Sequence, residues 1–91
     1  METNIIKVQY EEEYNFGIFS KKEYSYYTNQ NLKIGDLVEA PTLNGISIAR
    51  VSNINIPEEE IETFKDKMRT ISKKINRDRY LKFKEIKEDA A

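Results

Sequence analysis

The sequence predicts a small α+β domain: a strongly bent antiparallel sheet or partly open barrel of four to five strands, with two short helices in its C-terminal part. Three observations carry this. Apolar and polar residues alternate along the N-terminal half, the period of a half-buried strand. Tight-turn residues, above all Asn44-Gly45, punctuate that half, and Asn-Gly is a strong hairpin signal. After Pro57 the pattern changes to charged runs with apolar residues three and four apart, the spacing of a helix face. Strands first and helices later describe an α+β chain.

In order, Ile6, Val8 and Tyr10 alternate with Lys7 and Gln9 as a first strand. Glu11 to Lys22 holds the apolar cluster Asn15-Phe16-Gly17-Ile18-Phe19 between charges, and reads as a loop or hairpin tip. Glu23 to Thr28 is the second strand, with Tyr24 and Tyr26 on the core face and Tyr27 on the other. Asn29-Gln30-Asn31 is a turn, and Leu37 to Ala40 a short third strand stopped by Pro41. Ile46 to Ile56 is a long fourth strand, apolar on both faces, which calls for a bulge or barrel-like bend. The meander suits an SH3-like, partly open barrel.

Pro57 suits the first position of a helix, and Glu58, Glu59 and Glu60 suit its positive end. Ile61, Phe64 and Met68 mark its apolar face. The spacing extends to Ile71 and Ile75, so one helix can run to Ile75. Thr70 to Ile75 also fits a short edge strand guarded by lysines. Asp78 is the cap of a second helix, Arg79 to Lys87, with Tyr80 and Phe83 on one face. One domain spans residues 1–91: a β-rich barrel portion at 1–56, then helix, edge strand and charged C-terminal helix at 57–91.

Composition narrows the function. The 91 residues contain no cysteine and no histidine. Disulfides and thiolate metal sites are therefore excluded, and so are a Cys nucleophile and a histidine base. Ser20, Ser25, Ser47, Ser52 and Ser72 lie in no nucleophile-elbow setting, and Gly17, Gly35 and Gly45 are too scattered to cradle a phosphate. The Glu58–Glu60 run could take a divalent cation, but it reads as an exposed helix start. The expectation is a protein that is no enzyme and has no metal and no cofactor. No apolar run is long enough to span a membrane. The N-terminus lacks the pattern of a signal peptide, and the cytoplasm is the expected compartment.

Charge is uneven within a net of −1. From Lys65 to Lys84 nine basic residues stand against Asp66 and Asp78. Within this stretch Arg69, Lys73, Arg77 and Arg79, with Tyr80, form a candidate surface for nucleic acid or an acidic partner, since phosphates attract cations and bases stack on aromatic rings. The alternative is that Tyr80 and Phe83 cover the barrel and the cations are solvated. Phe16, Ile18, Phe19 and Tyr27 form a second candidate, a protein-binding patch built on aromatic anchors. Here the alternative is that residues 16–19 fold back over an open barrel end.

The stretch Lys33-Ile34-Gly35-Asp36-Leu37-Val38-Glu39-Ala40-Pro41-Thr42, followed by Gly45 and Ala49-Arg50-Val51, resembles small phage and prophage proteins of low-GC Gram-positive bacteria. The likeness runs from Glu23 onward, while Glu11–Lys22 departs from the pattern. It implies a short barrel, a helix, one more strand and a charged C-terminal helix, and so favours the strand reading of Thr70 to Ile75. It also implies a phage or mobile-element accessory protein in a bacterial host. The function expected of this chain is stoichiometric binding to a host or defence-system protein, or a nucleoprotein complex, as an inhibitor or adaptor of the anti-CRISPR kind. A fainter likeness, through the Gly-Asp-x-Val element, is to the YaaT-type domain and to the N-terminal domain of the primosomal helicase. The alternative function is a small nucleic-acid-binding barrel using the basic 65–84 segment.

Overall fold

The computed structural model describes residues 4–12, 15–76 and 78. Six strands form the sheet: β1 (Asn4–Glu12), β2 (Asn15–Phe19), β3 (Tyr24–Thr28), β4 (Leu37–Thr42), β5 (Gly45–Asn53) and β6 (Thr70–Ile71). The order is β4-β5-β1-β3-β6, and β2 pairs with the far end of β1. β6 runs parallel to β3 through Tyr27↔Thr70 and Thr28↔Ile71. Just beyond it, Lys74 bridges to Val38 of β4. Glu39 N–H donates to the Lys73 carbonyl (3.1 Å) and Ile75 N–H to the Leu37 carbonyl (2.8 Å). The sheet thus returns to its first strand as a nearly closed barrel.

Of the two readings of residues 11–22, the hairpin is the one present, since Asn15–Phe19 pairs back on Glu11 and Glu12 across a bulge. Two expectations change. Pro41 does not stop β4, which continues through Thr42 opposite Gly45. The segment around Ile71 is a strand but not an edge, because it is bonded to β3 on one side and its continuation to β4 on the other.

The helix expected from Pro57 is absent. Two single 3-10 turns, Glu58–Ile61 and Lys65–Lys67, take its place. Their bonds all span three residues: Glu60 to Pro57, Phe64 to Ile61, Lys67 to Phe64 and Met68 to Lys65. A helix this short is marginal without a buried face, and only Ile61 of its apolar residues is buried. The chain must also straighten by Thr70 to reach β3. Among the described residues there is no α-helix of a full turn or more. The second expected helix, Arg79–Lys87, lies outside them.

The bulge foreseen in the fourth strand is present. Lys7 faces Asn53 while Val8 faces Val51, so Ser52 is the extra residue. It bends β5 around the core of Ile6, Val8, Tyr26, Leu32, Val38, Ala40, Ala49, Val51 and Ile71. The Gly35-Asp36 element is a turn. Gly35 takes φ +97°, Asp36 N–H donates to the Lys33 carbonyl (3.0 Å), and the Asp36 carboxylate accepts the Lys33 amide (2.8 Å). Gly35 N–H reaches the Val51 carbonyl (2.8 Å) and fastens the turn to β5.

On the outer side of β1 a second cluster forms from Ile5, Ile56 and Ile61, with Tyr27 and Met68 packed on it. Asn55, at φ 54°, turns the chain so that Ile56 N–H meets the Ile5 carbonyl (3.0 Å). No helix among the described residues is long and apolar enough to cross a membrane.

Candidate binding groove at the barrel seam

The barrel closes unevenly. β6 covers Tyr27 and Thr28 of β3, but the chain before it turns away as the Lys65–Lys67 turn. Among the described residues no backbone-to-backbone bond therefore joins the first half of β3 to the second half of β4. Tyr26 spans this seam: its hydroxyl donates to the Pro41 carbonyl (2.8 Å) and pairs with the Tyr10 hydroxyl. Since the single Tyr26 proton goes to Pro41, Tyr10 donates to Tyr26. Burial first, and the Tyr10 hydroxyl next, push the Tyr26 hydroxyl well above the ordinary phenol range, while the Arg69 charge pulls the other way.

A groove of about 280 Å³ opens along the seam, lined by Glu23 to Tyr26 on one wall and Phe64, Lys67, Met68 and Arg69 on the other, with Tyr10 at its end. The Tyr10 and Tyr24 rings stack at 4.4 Å. Lys22 Nζ stands 5.3 Å from the centre of the Tyr24 ring. Phe64 is 40% exposed, high for a phenylalanine. The Glu23 carboxylate accepts a hydrogen bond from Ser52 (2.7 Å). Aromatic planes, cations and a sheet edge thus meet in one place.

Of the apolar residues singled out from sequence, Tyr27 lies apart from Ile18 and Phe19. Ile18 is 55% exposed. Phe19 is half-buried with the Arg50 guanidinium 4.6 Å from its ring centre, and Arg50 is also held by Gln9 (3.1 Å). The Phe16 side chain falls outside the described residues. Tyr27 pairs with Ile5 and Phe19 with Glu11, so about 20 Å of β1 separates them. Tyr27 is half-buried on the outer cluster and does not join a patch with residues 16–19.

Of the basic set, Arg69 lines the groove. Lys73 is exposed beside β4, on the far side of β6. Arg77, Arg79 and Tyr80 lie outside the described residues. Lys67, Phe64, Tyr24 and Ser25 are groove residues that sequence reasoning did not single out. Tyr24 alternates in phase with the core, and nothing local signals that the seam passes beside it.

No protein-family model matches this chain, and neither does any curated protein or solved structure. The functional reading therefore stands on the residues themselves.

Proposed function

We propose that this chain is a non-catalytic binding protein that holds a partner protein stoichiometrically, with the seam groove as its contact surface. The observation supporting this is the meeting of Tyr24, Phe64, Lys67 and Arg69 along one open edge of the barrel. Aromatic and arginine side chains in a desolvated pocket dominate interface energies. The partner proposed is a host or defence component of a bacterial cell, a reading that draws on the sequence resemblance alone, with an SH3-like barrel as the scaffold that presents the groove.

A second reading is favoured by the same cations: a nucleic-acid strand with phosphates at Lys67 and Arg69. The net charge of −1 argues against it, since such modules are usually basic overall. Salt separates the two. Affinity capture on the immobilised chain, after nuclease treatment, is compared with capture on a Lys67→Glu/Arg69→Glu variant. One equimolar protein partner, lost with the variant and retained from roughly 50 to 200 mM salt, supports the protein reading. A ligand that disappears with nuclease or falls steeply over that range gives the second reading the lead.

A further inference from the structure

We propose that the open edge of β3, around Ser25, takes up one extended acidic segment of the partner as an added strand. This rests on the protein-binding reading above and specifies its mode.

The direction of the backbone groups follows from register. Tyr27 N–H donates to the Arg69 carbonyl at 3.0 Å, so it points away from β1 and into the seam. In an antiparallel pair, residues alternate between directing both backbone groups at the partner and directing both away. Ser25 lies two residues before Tyr27 and opposite Lys7. Its N–H and C=O therefore point into the seam too, while Tyr24 and Tyr26 bond with β1. A continued β6 would meet Ser25 near Lys67, but there the chain folds on itself through Lys67-to-Phe64 and Met68-to-Lys65 bonds. Among the described residues, no strand lies against Ser25 on that side. Its donor and acceptor face the groove instead.

An exposed row of such groups is a template for another chain, and strand addition is a recurrent mode of peptide capture. Main-chain bonds supply the attraction, and side chains at alternate positions supply the selection. The walls offer both kinds of contact: Tyr24 and Phe64 for an apolar side chain, Lys67 and Arg69 for carboxylates. The neighbouring Lys22 and Lys65 are balanced by Glu23 and Asp66, so Lys67 and Arg69 leave the groove net positive, which selects an acidic segment. The stacked pair Tyr10–Tyr24 leaves a nucleobase only one face of Tyr24, and a net charge of −1 is unlike that of polynucleotide-binding modules.

The test selects displayed random short peptides on the immobilised full chain. Enrichment of acidic, β-branched sequences is expected. Ser25→Pro deletes the seam-side N–H while leaving the β1 ladder intact, and proline is tolerated at sheet edges. The selected peptides should bind Ser25→Pro at least tenfold more weakly, bind Ser25→Ala like the parent chain, and slow hydrogen exchange of the Ser25 amide in the parent chain. If Ser25→Pro does not fold, that amide decides: unchanged exchange at Ser25 in the saturated complex overturns the proposal. So does equal binding to Ser25→Pro, or the absence of acidic sequences among those selected. Peptides lost on Lys67→Glu/Arg69→Glu but kept on Ser25→Pro would end strand addition and leave the protein-binding reading standing. An oligothymidylate that binds in a steeply salt-dependent way, with no peptide enriched, would end both.

Discussion

The two faces of β1 are built very differently. Ile6 and Val8 point into the barrel, where β3, β4, β5 and β6 each contribute a wholly or almost wholly buried side chain. Ile5 points outward, into a cluster with Ile56 and Ile61 on which Met68 and Tyr27 pack. The inner face is closed by hydrogen-bonded strands, the outer by a stretch whose backbone bonds are those of isolated turns. With 38% hydrophobic residues, the chain fills one interior well and covers a single outer site thinly. Stability should follow the same division, with loss of the inner face unfolding the whole and loss of the outer face only loosening its cover.

The largest effect should come from Ile71→Ala. Ile71 is fully buried, and its carbonyl accepts the Thr28 hydroxyl at 2.8 Å, so it sits where the barrel closes. Truncating a buried isoleucine costs about 2–5 kcal/mol, against a total of about 5–15 kcal/mol for a whole domain. The urea midpoint should fall by a third or more as one cooperative transition. A small shift would mean that the closure by β6 is dispensable.

Ile61→Ala, at 2% exposure, should cost less, about 2 kcal/mol. Its cover is one turn deep and can settle onto Ile5. Hydrogen exchange should quicken at Phe64, Lys67 and Met68 while the β1–β5 amides keep their protection. Equal loss in both places would show that the two faces are one cooperative unit.

How far the sequence disclosed this division depends on how local the signals are. Alternation placed Ile6, Val8 and Tyr26 correctly, because strand period two is written in neighbouring residues, while it left open which face of Ile46 to Ile56 is the core. Gly35-Asp36 and Asn44-Gly45 announced their turns for the same reason, although the positive φ falls on Gly45, with none at Asn44. The 3-10 turns escaped because Ile61, Phe64 and Met68 carry a helical spacing that the short connection from β5 to β6 overrides. The groove was least legible. Its residues come from Tyr10, residues 23–26 and residues 64–69, and only the long-range pairing of Tyr27 with Thr70 brings them together.

Tyr26→Phe tests whether the seam is held by its hydroxyl. The change leaves the Pro41 carbonyl and the Tyr10 hydroxyl without their partner and should cost about 1–2 kcal/mol. The pH dependence is specific. A phenol whose folded pKa is raised by burial favours the protonated, folded state. That contribution is complete below the ordinary phenol value of about 10 and is lost as pH climbs beyond it. The parent chain should therefore lose stability above about pH 10 more steeply than Tyr26→Phe. Parallel alkaline limbs in thermal melts would show that the drop comes from other groups.

The smallest effect belongs to the link between the two faces. Lys7, on the outer side of β1, reaches Glu60 in the first 3-10 turn at 3.3 Å, with the side chains 26% and 48% exposed. Exposed pairs of this kind contribute about 0.2–1 kcal/mol and weaken with salt. Lys7→Gln should lower the melting midpoint slightly at low ionic strength and not at all near 1 M salt. The pair joins the thinly covered face to the strand it covers. Its loss should therefore appear as faster exchange at Glu60 and Ile61, with Ile6 and Val8 unchanged. If the midpoint instead falls as far as with Ile61→Ala and salt does not narrow the gap, the turn is held on the barrel by charge more than by Ile61, and the outer face is an electrostatic clasp rather than a second small core.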